Sequence, residues 1–255
     1  MAAREMTHSV MGGVLIKTRR NYYFCNDSNK KNGIGVSDDT YTALYPNNRE
    51  NYLYLWDLKK SILEVHSEYY RHLGIEHYER AFAYELYHQW AKYVEKYRKQ
   101  GQEDLFINGE IKKFLYGLKK MPDMVLHHNN TDGQEIVVEI KRMPHNPNSY
   151  QLQKLIDDLK KLRDFSIGEI GVGDNDYKRA FSPYRFGVFI VTCGRISELV
   201  SLFSKKTKTI KNIIDSMRRH NKSGHLYSIC CNGDSELDFA TLEDLYQQIL
   251  IAQKQ

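Results

Sequence analysis

Three residues near the middle of the chain have types and spacings suited to chemistry. In "MPDMVLHHNNTDGQEIVVEIKRM", Met121 to Met143, two apolar runs are interrupted by the acids Asp123 and Glu139 and by Lys141. Both runs alternate as β-strands do. Side chains two apart share a face, so Asp123, Val125 and His127 lie together on one run, and Val137, Glu139 and Lys141 on the other. If the runs pair through the turn "NNTDGQ", both acids and the lysine converge at one end of a sheet. Burying such charges singly is costly, so they must pair, bind a metal or face a wet cleft. Two adjacent carboxylates repel unless a cation lies between them, and hard oxygen donors suit Mg²⁺. A neighbouring ammonium can orient water or stabilise charge on a phosphate oxygen. Together these parts suit metal-assisted phosphodiester hydrolysis. Without chemistry, Glu139 and Lys141 would be a solvent-facing pair on an edge strand, and Asp123 would only shape a turn.

The surrounding pattern supplies the elements that must hold these groups. Apolar residues at helical spacing predict a helix from Tyr52 to about Leu73, stopped by Gly74, and a second from about Ile75 to Lys99. "DLFINGEIKKFLYG" suggests a strand pair turning at Asn108-Gly109. Two strands follow, then a helix over "SYQLQKLIDDLKKLRDF", with Leu152, Leu155, Ile156, Leu159 and Leu162 inward. "RFGVFIVTC" is an unbroken apolar strand suited to a sheet interior. The remaining segment predicts two helices around the short strand "LYSICC". "VLIKT" and "NYYFCN" could be short strands in a turn-rich N-terminal stretch, and "GVGDND" is expected to be a turn. The order helix, strand, strand, strand, helix, strand indicates an α/β protein with a mixed central sheet flanked by helices.

This order and its residues resemble a known family. Pro122-Asp123 followed by Glu139-x-Lys141 is similar to the PD-(D/E)xK signature of the restriction-endonuclease-like nuclease superfamily, over about residues 75–193. The resemblance implies a restriction-endonuclease-like core over 75–232, an N-terminal extension over 1–74 and a C-terminal helix over 233–255. It implies Mg²⁺, with Mn²⁺ able to substitute, held by Asp123, Glu139, the Ile140 backbone carbonyl and an acid from the preceding helix. Glu79 and Glu85 are the two candidates for that acid. Lys141 would assist the attacking water, and Gln151 or Lys154 would be contributed by the following helix. The expected activity is cleavage of nucleic acid, DNA before RNA, by an endonuclease of restriction, defence, repair or mobile-element type. Cutting both strands would call for a homodimer. The alternative is a module on the same fold that binds nucleic acid without cleaving it.

Charge and composition bound the rest. The 255 residues carry a net +5, yet residues 205–222 alone hold seven Lys/Arg and one Asp, a local +6. Lys205, Lys206, Lys208, Lys211, Arg218, Arg219 and Lys222 are therefore the candidate phosphate contacts, with a solvated helix face as the plain alternative. His127 and His128 are neighbours on a strand, point to opposite faces and lack partners at zinc spacing. The four cysteines form no CxxC pair, which points to a reduced, cytoplasmic protein. No apolar run is long enough to span a bilayer, and the N-terminus makes a poor signal peptide.

Overall fold

The computed structural model describes residues 13–17, 22–25, 34–35, 49–66, 68–71, 78–109, 122–129, 134–172, 177–180, 182–222, 224–232 and 236–254. Strands β1 (Gly13–Lys17), β2 (Tyr22–Cys25) and β3 (Ile34–Gly35) precede helices α1 (Arg49–Glu64), α2 (Glu68–Arg71) and α3 (Tyr78–Lys99). Next come β4 (Leu105–Gly109), β5 (Met124–His128), β6 (Gln134–Arg142) and α4 (Ser149–Ile167). A two-stranded ribbon, β7 (Glu169–Val172) with β8 (Tyr177–Ala180), leads to β9 (Phe186–Thr192). Helices α5 (Ile196–Phe203) and α6 (Thr207–Arg219), strands β10 (Leu226–Cys231) and β11 (Glu236–Thr241), and helix α7 (Leu242–Ala252) complete the chain.

The protein is α/β. Its central sheet is mixed and open, with six strands in the order β11-β10-β9-β6-β5-β4 and β1, β2 and β3 continuing the β11 edge. β6, β9 and β10 run parallel, and the pairs outside them are antiparallel. Parallel neighbours need a crossover, and α4 supplies it between β6 and β9.

The alternation in β6 determines what each face meets. Ile136, Val138 and Ile140 join a core with Leu58 and Ile62 of α1 and Phe82, Leu86 and Trp90 of α3. Val137 faces a second core built from Leu155, Ile156, Leu159 and Leu162 of α4, with Ile210, Ile213 and Ile214 of α6. β9 is buried along its whole length, as its unbroken apolar run requires. Helix α4 packs closely on β9. At Gly187 a Cβ would stand 2.8 Å from both Ser166 Oγ of α4 and Leu226 Cδ1 of β10, so any larger residue there would force these side chains to shift.

Several expectations need correction. The long helix from Tyr52 breaks: α1 ends at Glu64, and α2 is a separate short turn. Asn108-Gly109 is not a hairpin turn. Both residues pair along β5, opposite Val125 and Met124, because sheet pairing outweighs the local turn preference. The sheet also extends past residue 232, since β11 lies between β10 and β1, and α1 packs on the same core as the elements after residue 75. Of "GVGDND", Gly171 and Val172 belong to strand β7, and the expected turn over residues 173–176 lies outside the described residues. Among the described residues, no helix is long and apolar enough to cross a membrane.

Candidate active site

Asp123 immediately precedes β5. Its backbone N–H donates to Val138 O at 3.0 Å, setting its side chain beside the carboxyl-terminal half of β6. There its Oδ2 accepts from the Ile140 N–H at 2.7 Å. Glu139 and Lys141 follow Val137 on the face toward α4, as the alternation predicts. β6 lies inside the sheet, and Glu139 has 0% of its surface exposed. A solvent-facing edge pair is thereby excluded.

Helix α3 brings the fourth group. Glu79, in its first turn, accepts from the Arg142 N–H through Oε1 at 3.0 Å, and Lys141 Nζ lies 3.8 Å from its Oε2. Glu85 instead accepts from Gln89 Nε2 and lies 3.9 Å from His88 Nδ1, away from the cluster. The structure thus brings Glu79, not Glu85, to Asp123, Glu139 and Lys141.

The contribution from α4 differs from the expected one. Gln151 is exposed and accepts from the Asn148 N–H in the helix's N-terminal capping box. Lys154 is also exposed, with its ammonium 4.6 Å from the Tyr150 ring centre. Farther along the same stripe, Asp158 and Lys161 reach the cluster. Lys161 Nζ lies 2.6 Å from Glu139 Oε2 and 3.4 Å from Asp158 Oδ1, while Lys141 Nζ lies 3.8 Å from Asp158 Oδ2. Residues 151, 154, 158 and 161 repeat at three and four, so all four share one helix face. That spacing was the available signal. The first two sit in the opening turns of α4, while the helix runs back along β6 and reaches Glu139 only later.

Four carboxylates (Glu79, Asp123, Glu139, Asp158) thus surround two ammonium groups (Lys141, Lys161), a formal excess of two negative charges that one divalent cation would neutralise. Burial first, then the nearby Asp123 charge, pushes the Glu139 carboxyl well above the usual carboxylate range, with Lys161 opposing. At 2.6 Å the Lys161 ammonium is the one polar group that the described residues place against this buried carboxylate, and it offsets only part of the burial cost. For Lys141, burial pulls the ammonium pKa down, but Asp123, Asp158, Glu79 and Glu139 outweigh it and raise the net value. Asp158 is raised mainly by burial, against the two lysines.

A hard divalent cation suits this donor set, because the acids outnumber the ammonium groups around a carboxylate that is fully out of water. Among the described residues, however, no three acidic, imidazole or thiol groups stand close enough to ligate one ion as placed. Lys141 Nζ lies between Asp123 (4.0 Å), Asp158 and Glu79, and donates to Ile140 O at 3.0 Å. The expected carbonyl ligand is therefore already capped by the lysine.

The basic segment divides. Lys211 pairs with Asp215 at 2.6 Å and Arg218 with Glu243 at 2.9 Å. Lys222 reaches Tyr184 O at 3.4 Å, and burial followed by the Arg185 charge lowers its pKa. β10 begins opposite Gly187, which pairs with Val137, so Lys222 and the end of α6 lie at the far end of the parallel strands from Lys141. Lys205, Lys206 and Lys208 occupy the opposite end of this run, in the 3₁₀ turn Ser204–Lys206 and the first turn of α6. His127 and His128 bond to Asn108 and Asp104 respectively, outside the acid cluster. Comparison with protein-family models, with curated proteins and with solved structures finds no match.

Proposed function

We propose that the protein is a metal-dependent nuclease with a restriction-endonuclease-like core, acting on DNA. The observation that carries this reading is the convergence of Asp123, the fully buried Glu139 and Lys141 from adjacent strands, completed by Glu79. Asp123, Glu139 and, once Lys141 releases it, the Ile140 carbonyl are the groups that would hold Mg²⁺. When bound, the ion supplies Lewis-acid polarisation of a phosphate oxygen and an acidified water. The chain's own residues then have definite tasks. The Ile140 N–H fixes Asp123 Oδ2. Surrounding carboxylates hold Lys141 protonated, so its Nζ acts as a charge-stabilising donor to a phosphate oxygen and not as a general base. Lys161 screens Glu139 and Asp158 from each other.

The two ammonium groups set among the acids favour one other reading, a module on the same fold that binds nucleic acid without cutting it. The separating experiment incubates the purified protein with plasmid, single-stranded DNA and RNA, with and without Mg²⁺. Mg²⁺-dependent cleavage lost in Asp123→Ala supports the nuclease. Under the same reading, Lys141→Ala should lower kcat by about tenfold or more with a smaller change in substrate affinity. Binding without cleavage in any metal leaves the module.

A further inference from the structure

One face of α3 faces a cavity of about 450 Å³ on the side of Asp123 away from α4, within the roughly 300–1,000 Å³ typical of ligand clefts. Its walls include Arg80, Tyr84, Tyr87 and His88 of α3, Asn108 of β4 and Asp123 itself. Positions 80, 84 and 87 stack along one face of the helix. Tyr84 is 63% exposed, whereas the apolar residues beside it on α3, Phe82 and Leu86, are sealed in the core. An isolated exposed tyrosine needs no explanation. This one lines a cleft whose wall includes a proposed ligand acid, on the helix that also delivers Glu79.

From these features we infer that the cavity receives an unpaired nucleobase of the strand whose phosphate meets Asp123 and Lys141. Within a duplex, base faces are covered by neighbouring bases. Only an unpaired or extruded base offers a face for an aromatic ring to stack on. Tyr84 supplies the ring, and Arg80 is a cation suited to the adjoining phosphate. Asn108, whose Nδ2 lies 2.6 Å from His127 Nε2, presents an amide beside the base edge. The rise from Glu79 to Tyr84 is about 7.5 Å along the helix, so phosphate and base sites lie within one nucleotide's reach. The site therefore takes single-stranded or locally opened nucleic acid. This rests on the nuclease reading for the position of the phosphate.

The test measures fluorescence anisotropy in EDTA, where Mg²⁺-dependent cutting is absent. Its probes are labelled oligo-dT, oligo-U and a blunt duplex of equal length. The wild type should bind a single strand more tightly than the duplex. Tyr84→Ala should weaken single-strand binding by about fivefold to a hundredfold, the loss of one stacked base, while Tyr84→Trp restores it. The tighter of oligo-dT and oligo-U identifies the strand. Duplex preference, no binding of either single strand, or unchanged binding by Tyr84→Ala overturns the inference. The two readings fail separately. Absence of Mg²⁺-dependent cleavage removes the nuclease and leaves a Tyr84-dependent binding site standing, whereas loss of Tyr84 dependence leaves cleavage to be judged by Asp123→Ala.

Discussion

Replacing Glu139 with Gln should make the metal-free protein no less stable and should abolish its response to Mg²⁺. In place, the carboxylate is disfavoured by burial and then by Asp123, and Lys161 offsets only part of this. Its folded pKa is raised, so above the ordinary carboxylate range, from about pH 4, the folded protein holds a proton that the unfolded chain has lost. Stability is then present at low pH and drains away as pH rises toward the folded value. Gln is neutral throughout and removes that decline. Deleting one partner of a buried pair usually costs about 3–5 kcal/mol because the other charge is stranded. Here Lys161 is 13% exposed and keeps Asp158 at 3.4 Å, so its charge is not stranded. A cation reverses the sign. With a Kd of about 1 mM, about 10 mM Mg²⁺ adds RT ln 11, about 1.4 kcal/mol, which is about 3–6 °C in Tm for a chain of this size. Thermal denaturation in EDTA, in Mg²⁺ and in NaCl of matched ionic strength measures all of this. An equal Mg²⁺ shift in both proteins places the ion elsewhere. A variant several degrees less stable in EDTA makes Glu139–Lys161 a structural pair and refutes the reasoning.

Glu79→Gln keeps an acceptor for the Arg142 N–H but loses its charge, so cleavage should fall about tenfold or more while Glu85→Gln stays near wild type; steady-state rates decide, and the reverse ranking removes Glu79 from the site. Lys59 is buried, with its pKa lowered by desolvation to about 7 and its ammonium 3.5 Å from the Phe239 ring centre. Between about pH 7 and 10.5 the unfolded chain binds the extra proton, so stability rises with pH across that window. Lys59→Met should therefore stabilise the protein by about 2–4 kcal/mol at pH 6, the aromatic ring having offset part of the burial cost. Urea denaturation should show that gain shrinking toward pH 10, and a destabilised variant contradicts the desolvation argument. For the basic segment, changing Lys205, Lys206 and Lys208 to Ala should flatten the salt dependence of DNA binding, by about one unit of slope for each phosphate no longer neutralised. Arg218→Ala, which removes a cation already paired with Glu243, should change it less, and an unchanged slope in the triple variant assigns the run to a solvated face.

Local rules were enough to place Glu139 and Lys141 on one face with Val137, because the two-residue period of a strand does not depend on its neighbours. They also set the inward stripe of α4 and marked β9 as an interior strand. Tertiary structure decided the rest. Glu79 and Glu85 lie on opposite flanks of the α3 stripe, and only the approach of Arg142 selects between them. Asn108-Gly109 carries a hairpin signal, yet β5 pairs along it and keeps it extended. Asp158 and Lys161 share a helix face with Gln151 and Lys154, but which turn meets Glu139 depends on where α4 crosses β6, and a side chain at Gly187 would force Ser166 of that helix to shift. The exposure of Tyr84 to a cavity beside Asp123 likewise follows from how α3 sits against β4 and β5. Periodicity along the chain determines direction, whereas distance between elements comes from packing, and a site made of charges is set by distance.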